Sequence, residues 1–284
     1  MTMNNLVFSI IVPVYNASET LAKCVDSIIS QTNSCYEIIF VDGQSTDDTM
    51  KIIENYSTIN ESIQSVSEKD NGIYDAMNKG IIMARGEWIY FMGADDSLNS
   101  NNVLSVVAEH AKGGADIVYG NSTWVPENIM EAGEWGYYEL LNRSINHQRV
   151  FYRRYLFEKL GSFNLVYPVA SDYELNIRFF CEPGMNKKYI NHTIANYHSG
   201  GFSSSKVDGV FWNNWKKILL KNFAPYLPTK DIYNRISWYC WYMLQQKQYA
   251  KAGKLFFQIY FSTFSIGFVK HTLSQLLKQL RSKP

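Results

Sequence analysis

Cysteine is scarce in this sequence of 284 residues, with four Cys residues scattered along the chain: Cys24, Cys35, Cys181 and Cys240. Their spacing fits no metal-binding pattern. A chain of this length can bury enough apolar surface to fold without a disulfide framework. We therefore expect the cysteines to be small apolar core residues, and we expect a reducing, cytoplasmic compartment.

Two common phosphate-binding motifs are missing as well. No Gly-x-Gly-x-x-Gly follows the first predicted strand, and Gly-Lys-Ser/Thr occurs nowhere in the sequence. The first absence argues against a dinucleotide enzyme, and the second argues against a P-loop nucleotidase. Any bound phosphates must therefore be neutralised by another device.

The sequence also offers no clear membrane span or leader. Its best apolar run, LFFQIYFSTFSIGFV at 255–269, has 15 residues and includes Gln, Ser and Thr, whereas a spanning helix needs about 20 apolar residues. The N-terminal stretch MTMNNLVFSIIVPVYN lacks a basic leader and a small-residue cleavage site. We expect a strand there and not a signal peptide.

Charge is divided unevenly along the chain. Residues 205–284 hold 13 Lys/Arg and 2 Asp/Glu, whereas residues 1–204 hold 14 and 24. This split predicts a first domain over 1–204 and a helical, basic, aromatic-rich region over 205–284. Aromatic residues with flanking lysines suit a helix lying in the headgroup layer of an anionic membrane. They suit equally a helical subdomain packed on the first domain, and both alternatives stay open.

The first 120 residues alternate between predicted strands and helices. Apolar runs predict strands at 8–12, 37–41, 62–67, 87–92 and 115–119. Apolar residues at helical spacing predict a helix from residue 18, and further helices at about 45–56, 72–84 and 101–111. This alternation predicts an α/β fold with a mostly parallel sheet flanked by helices.

Polar residues follow four consecutive predicted strands. They lie at 13–16 after the first strand, at Asp42 after the second, at 68–70 after the third, and at Asp95 and Asp96 after the fourth. Ligands of parallel sheets bind outside the carboxyl ends of the strands, so these residues predict one site. Adjacent carboxylates suit a hard divalent cation that bridges protein and phosphate oxygens.

Three segments carry a resemblance: SIIVPVYNASETLAKCVDSIISQ, EIIFVDGQSTDDT and SEKDNGIYDAMNKGIIMARGEWIYFMGADD. They resemble the inverting family 2 glycosyltransferases of GT-A fold, over about residues 6–204, and the third is similar to the branch that builds bacterial surface polysaccharides. The resemblance implies a nucleotide-sugar donor, favouring a UDP-sugar, and a glycan or lipid-diphosphate-linked acceptor. It further implies Mn²⁺ or Mg²⁺ as cofactor, no nucleic-acid partner, and a cytoplasmic enzyme peripheral to the membrane.

The acidic metal motif of the family commonly reads Asp-x-Asp-Asp, whereas this chain has Gly-Ala-Asp-Asp at 93–96. The resemblance implies that Asp95 binds the metal and that Asp96 supports the donor side. The missing first Asp affects a ribose contact and not the metal. His198, beside Gly200 and Gly201, is implied to complete the metal shell or bind pyrophosphate when its loop closes.

Six residues share an implied contact with the nucleotide part of the donor: Pro13, Tyr15, Asp42, Asp70, Asn78 and Lys79. Pro13 and Tyr15 are implied to line the base pocket, and Asp42 to contact the base. Lys79 is implied to offset phosphate charge, although it reads most simply as a solvated helix lysine.

The segment 170–175, ASDYEL, resembles the family's Glu-Asp-x-x-Leu element, with Ser171 replacing Glu. The resemblance implies that Asp172 is the general base. A carboxylate suffices because an alcohol's proton becomes acidic only as its oxygen bonds to the sugar carbon. His147 and Gln148 fall where similar proteins approach the donor sugar or the acceptor.

Plainer readings compete with these assignments. Asp95 and Asp96 could cap the next helix, Asp172 could be an ordinary first-turn aspartate, and His147 could be structural. Two other functions also stay open. A nucleotidyltransferase shares the sheet and the acidic site but would need a Gly-rich basic loop after the first strand. A non-catalytic carbohydrate-binding or scaffold relative would accord with the two departures from the family motifs.

Overall fold

The computed structural model describes residues 7–198 and 208–245, together with 249, 250, 252–254, 256, 257, 270 and 274. Its strands are β1 (Phe8–Val14), β2 (Tyr36–Asp42), β3 (Ile63–Ser67), β4 (Trp88–Phe91), β5 (Ser97–Leu98), β6 (Ile117–Val125), β7 (Ile129–Glu131), β8 (Val150–Arg153) and β9 (Lys187–His198). Its helices are α1 (Leu21–Ile29), α2 (Thr49–Ile59), α3 (Ile73–Met83), α4 (Val103–Ala111), α5 (Tyr137–Asn142), α6 (Tyr155–Leu160), α7 (Ser171–Phe180), α8 (Gly209–Phe223) and α9 (Thr229–Gln245), with a 3-10 turn at His147–Arg149.

The described strands form one sheet in the order β3-β2-β1-β4-β8-β6-β9-β5, with β7 paired to β6. Strands β1 to β4 are parallel to one another, whereas β8 is antiparallel to β4 and β6. Every residue of β1 and β2 is buried, as expected of strands covered on both faces. The predicted α/β class is confirmed.

The register of the parallel strands brings their carboxyl ends together. Val14 lies opposite Asp42, and Asp42 lies opposite Ser67. Strand β4 ends earlier, with Phe91 opposite Ile11. The turn at 93–96 therefore begins nearer the middle of the sheet than the carboxyl ends of the other three strands.

A buried carboxylate fastens the opposite edge of the sheet. Glu37 accepts hydrogen bonds from Ser9 Oγ (2.7 Å), Gln64 Nε2 (2.7 Å) and the backbone N–H of Arg85 (2.7 Å). The Arg85 guanidinium adds an ion pair at 2.8 Å. These bonds join the starts of three strands to the end of α3, and so fix the helix that borders the cavity described below.

One helix begins later than the sequence predicts. The backbone N–H of Ser18 donates to the Asp47 carboxylate at 3.0 Å, and residues 18–20 form a turn. Helix α1 therefore starts at Leu21. Asp47 also accepts from the N–H of Thr49, the first residue of α2, so one carboxylate orders the starts of two helices.

The chain divides into two compact units, residues 1–135 with 144–211, and residues 136–143 with 212–284. The first unit contains the sheet. The second is packed through aromatic pairs such as Trp212–Tyr239, with ring centroids 4.6 Å apart, and Tyr137–Tyr226, at 4.1 Å. The boundary predicted at 204/205 stays a prediction, since residues 199–207 lie outside the described part. Within that part, no helix has the length and apolar character needed to cross a bilayer.

Candidate active site

An open cavity of about 490 Å³ lies at the carboxyl ends of β1 and β4. Three groups of residues line it: 13–17 and Thr20 after β1; Asp70, Gly72, Ile73 and Ala76 around the start of α3; and 93–95 after β4. Of the site residues that the sequence predicts, Pro13, Tyr15, Asp70 and Asp95 lie in this wall. The polar segments after β1, β3 and β4 therefore share one cavity.

Tyr15 and Asp70 both approach the bare backbone of Gly43. A Cβ atom built on Gly43 would lie 2.6 Å from Asp70 Oδ2 and 3.5 Å from the Tyr15 ring. Asp70 is held by the N–H of Gly72, which donates to its Oδ1 at 2.8 Å. The ring of Tyr15 remains 64% exposed. The cavity thus offers an aromatic face and a fixed carboxylate close together, packed against a position that carries no side chain.

Asp42 is fully buried and is absent from the cavity wall. Its carboxylate accepts from the N–H and Oγ of Ser45 and from Ser67 Oγ. These bonds tie the ends of β2 and β3 to the turn that follows. The implied contact between Asp42 and the base stays a prediction.

Asn78 and Lys79 lie on α3 and are absent from the cavity wall. The Asn78 amide exchanges two hydrogen bonds of 2.9 Å with the backbone of Phe163. The Lys79 ammonium donates to the carbonyl of Lys69 at 2.8 Å and pairs with Glu68 at 3.0 Å. In this structure both side chains hold the segments that flank the site, and their implied nucleotide contacts stay predictions.

The adjacent acids after β4 have different surroundings. Asp95 is partly exposed in the cavity wall, and none of the hydrogen bonds or ion pairs within the described residues engages its carboxylate. Asp96 is buried and accepts from Gln148 Nε2 (2.7 Å), the N–H of His198 (3.0 Å) and the N–H of Gly93 (3.2 Å). Burial, and next the charge of Asp95, raise the pKa of Asp96. Asp95 presents its charge to the cavity, whereas Asp96 joins three segments of the site.

The Asp172 carboxylate is held from three directions at the start of α7. Its Oδ1 accepts from Tyr74 Oη at 2.9 Å and from the N–H of Tyr173 at 2.8 Å. Its Oδ2 lies 3.6 Å from His147 Nδ1. Within the described part of the chain, the buried Nε2 atom of His147 has no hydrogen-bond partner. Oδ2 is therefore the oxygen of Asp172 with the greater capacity to accept a further proton donor.

The pKa of Tyr197 is raised by its surroundings in this site. Burial raises the pKa of Tyr197, and the charges of Asp96, Asp95 and Asp172 raise it further. The three carboxylates are thus within electrostatic reach of one hydroxyl. Gln148 strengthens this connection, because its amide binds Asp96 while its neighbour His147 faces Asp172.

His198 ends strand β9, and its buried Nδ1 has no hydrogen-bond partner among the residues that the structure describes. The glycines predicted to move with it, Gly200 and Gly201, lie outside the described residues. Among those residues, no three His, Cys, Asp or Glu side chains come close enough to hold a metal between them. Mg²⁺ commonly uses one or two carboxylates and takes its other ligands from phosphate and water. The open carboxylate of Asp95 fits a metal of that kind.

Sequence reasoning missed Tyr74 and Tyr197 as site residues. Tyr74 lies inside the GIYDAMNKG stretch, and Tyr197 directly precedes His198. Tyr74 is buried and donates to Asp172, which lies 98 positions further along the chain. Tyr197 is half-buried, and the charges of Asp96 and Asp95 help to raise its pKa. For Tyr74, its place in a quoted motif was the available signal, but the spacing could not show which acid its hydroxyl would meet.

A family model for glycosyl transferase family 2 matches residues 9–167, more than half of the chain. The chain belongs to glycosyl transferase family 2. The matched range includes all the cavity residues, His147 and Gln148, and it ends before Asp172.

Relatives of this family 2 chain extend the match. The PGL/p-HBAD biosynthesis glycosyltransferase of Mycobacterium bovis is 40% identical over 211 residues, which cover 72% of this chain and 82% of the relative. The chain is therefore a glycosyltransferase, as its sequence predicts.

Solved structures support the fold. The crystal structure of S. aureus TarS 1–349 in complex with UDP-GlcNAc has a TM-score of 0.66 and 18% identity, and the similarity covers 82% of this chain and 71% of the TarS 1–349 chain. The mannosyltransferase PcManGT from Pyrobaculum calidifontis, in complex with GDP-Man and Mn²⁺, has a TM-score of 0.59 and 16% identity, covering 96% and 80%. At these identities the likeness speaks for the fold alone, and the predicted GT-A fold is confirmed.

Proposed function

We propose that this family 2 glycosyltransferase is inverting and metal-dependent, and that it moves a sugar from a UDP-sugar to a glycan or lipid-linked saccharide in bacterial polysaccharide or glycolipid synthesis. One observation carries the proposal. Gln148 donates to Asp96, the chain neighbour of Asp95, at 2.7 Å, and the adjacent His147 lies 3.6 Å from Asp172 Oδ2, so the acid of the cavity wall and the acid of α7 lie in one neighbourhood.

The cavity supports a nucleotide-sugar donor. Its volume of about 490 Å³ lies within the usual range for small-molecule sites, about 300–1,000 Å³. The exposed ring of Tyr15 offers a face on which a base can stack, and Asp70 offers a nearby hydrogen-bond acceptor. The complex of TarS with UDP-GlcNAc favours a uridine nucleotide, and that of PcManGT with GDP-Man supplies the rival donor class.

Asp95 is the residue that would hold Mn²⁺ or Mg²⁺ on the donor diphosphate, with His198 as a second candidate ligand. When bound, the cation would neutralise charge on the departing diphosphate. Asp96 would keep both candidate ligands in place, because it lies next to Asp95 in the chain and accepts the N–H of His198.

Asp172 would accept the proton of the acceptor hydroxyl at Oδ2, because Oδ1 already accepts two hydrogen bonds. The attacking oxygen forms its bond to the anomeric carbon as the bond to the diphosphate breaks. A single displacement of this kind inverts the anomeric centre and requires no covalent intermediate on the enzyme.

A donor screen tests this reaction. Purified chain is incubated with UDP- and GDP-sugars in Mn²⁺, Mg²⁺ or EDTA, and release of the nucleoside diphosphate is measured. We expect turnover with a UDP-sugar that EDTA abolishes and that Asp95→Asn lowers about 100-fold. Asp48→Asn is the control, because Asp48 is exposed and makes no side-chain cap to α2. Undiminished turnover in EDTA, or a product with retained anomeric configuration, would contradict the proposal.

The location of the chain is also a proposal: cytoplasmic, with contact to an anionic membrane surface. The basic composition of residues 205–284 supports it. The second unit adds a partly exposed aromatic ring beside a cation, because Trp238 is 42% exposed and the Arg235 guanidinium lies over its ring. We expect the full chain to co-sediment with vesicles containing phosphatidylglycerol but not with neutral vesicles. Trp238→Ala should weaken this binding, and equal binding to both vesicle types would contradict the proposal.

A further inference from the structure

A row of apolar side chains crosses three strands of the first unit. Ile129 of β7 lies opposite Trp124 of β6, and Trp124 lies opposite Tyr197 of β9. Directly opposed residues share a face of the sheet, so the three side chains are neighbours. Trp124 is 37% exposed and Ile129 is 57% exposed. The Trp124 and Tyr197 rings meet edge to face, with centroids 5.5 Å apart.

The inner end of this row reaches the acids of the active site. Tyr197 is followed in β9 by His198, whose N–H donates to Asp96 at 3.0 Å. Asp96 also accepts from Gln148, and the adjacent His147 lies 3.6 Å from Asp172 Oδ2. The row therefore leads from an exposed strand edge to the carboxylates that we assign to the reaction.

A carboxylate lies beside the row on the same face. Glu131 is opposite Ser122, two positions along from the Ile129–Trp124 pair, and side chains two apart on a strand share a face. Glu131 is held 3.5 Å from the guanidinium of Arg149, which fixes an acceptor for hydroxyl groups next to the aromatic pair.

We propose that Trp124, Tyr197 and Ile129 form the acceptor subsite and bind a pyranose ring of the acceptor saccharide. This inference rests on the proposed function. The C–H face of a pyranose carries partial positive charge, which the negative face of an indole attracts, while its hydroxyls need acceptors such as Glu131. Three neighbouring strands are about 10 Å across, a width that suits one or two sugar rings. The row is too small for a stable protein interface, which buries about 800 Å² on each partner.

The subsite would present the acceptor in a defined way. A saccharide resting on Trp124 has its reacting hydroxyl near Tyr197, within reach of the acids. That hydroxyl oxygen bonds to the anomeric carbon of the donor sugar, its proton passes to Asp172 Oδ2, and the nucleoside diphosphate leaves with the electron pair of the broken bond.

A binding experiment tests the subsite without catalysis. The full chain is labelled with 5-fluorotryptophan, and its seven tryptophans are observed by ¹⁹F NMR, with the Trp124 resonance assigned through Trp124→Phe. The probes are p-nitrophenyl glycosides of glucose, galactose, mannose, rhamnose and N-acetylglucosamine. We expect a saturable shift of the Trp124 resonance with one or more of them, while Trp238 of the second unit stays unmoved. If no glycoside moves Trp124, or if Trp238 moves equally, the proposal is overturned.

A kinetic experiment adds a second readout, with the glycoside that binds as acceptor. We expect Trp124→Ala to raise the KM for the glycoside about tenfold, a loss of about 1.4 kcal/mol, and to change the KM for the donor less than twofold. Trp124→Phe should recover most of the loss. Ile82→Ala is the control, because Ile82 is 84% exposed on α3. An unchanged glycoside KM in Trp124→Ala overturns the subsite. Absence of donor turnover in the wild type instead overturns the proposed function, and the NMR result still decides the subsite.

Discussion

Tyr74 donates a hydrogen bond of 2.9 Å to Oδ1 of Asp172, and its hydroxyl also lies 2.8 Å from the carbonyl of Val169. The bond joins α3, whose first turn lines the cavity, to the first turn of α7. Stacking against Phe163, with centroids 5.3 Å apart, fixes the ring of Tyr74. Burial, and next the charge of Asp172, raise the pKa of Tyr74 well above its usual value. Tyr74 is therefore a neutral hydrogen-bond donor at pH 7.

Removal of the Tyr74 hydroxyl should leave Asp172 less firmly positioned without changing how the cavity binds the donor. We expect Tyr74→Phe to lower kcat about tenfold while the KM for the donor changes less than twofold, because a lost hydrogen bond to a charged group costs about 1.5–3 kcal/mol. Tyr56→Phe is the matched control, since Tyr56 makes a similar bond of 2.7 Å to Asp26 away from the cavity. An equal fall in kcat for both variants would mean that the Tyr74 effect is not local to the site.

The same substitution should change the free energy of unfolding much more at Asp96 than at the neighbouring Asp95. Asp96→Asn replaces a buried acceptor of three hydrogen bonds with a group that also carries donors, so we expect the free energy of unfolding to fall by about 2 kcal/mol. Asp95→Asn should leave it within about 0.5 kcal/mol, because a partly exposed side chain without partners contributes little. Urea unfolding measures both. A larger loss of stability in Asp95→Asn would reverse our assignment of the two roles.

The sequence predicted that polar residues after β1, β3 and β4 would meet in one place, and they share one cavity, because continuous apolar strands reveal a buried parallel sheet and the polar residues after them mark its carboxyl edge. The nucleotide contacts of these residues stay predictions. The sequence could not predict that Asp42 would be saturated by Ser45 and Ser67, since those bonds depend on the register of β2 and β3. Strand β9 also went unpredicted. Its residues show no simple alternation of burial, because the strand's pairing with β6 contains register shifts and β5 covers only two residues of its other edge.

Gly93 occupies the position where the family motif commonly has its first aspartate, and the structure gives this glycine a steric role. A Cβ at Gly93 would lie 2.6 Å from Asp96 Oδ2 and 2.8 Å from Asp95 Oδ1. We therefore expect Gly93→Ala to displace both carboxylates and to lower kcat about tenfold, a barrier increase of about 1.4 kcal/mol. Gly93→Asp should do no better, because the same Cβ is added.

The control for Gly93 is Gly113→Ala, where an added Cβ would meet nothing nearer than 3.8 Å. Steady-state kinetics at saturating donor compare the variants. A gain of activity in Gly93→Asp would show that the acids can rearrange around a restored aspartate, and our steric account of this position would then be wrong.

The hydrogen bonds and the ion pair of Glu37 predict how the free energy of unfolding depends on pH. Burial alone would raise the pKa of Glu37, but hydrogen bonds from Ser9 and Arg85 and the charge of Arg85 lower it below its usual value. A carboxyl whose pKa is lower in the folded state stabilises the fold above its unfolded pKa, about 4.3, and this contribution is lost as the pH falls through the folded value.

We expect Glu37→Gln to cost about 2 kcal/mol of unfolding free energy at pH 7. Urea unfolding of wild type and variant from pH 7 down to the acid limit of folding measures the gap, which should narrow only below about pH 4.3. Glu54→Gln on α2, an exposed residue, should show little gap at any pH. A Glu37→Gln gap that stays constant across this range would mean that the charge of Glu37 does not support the sheet edge.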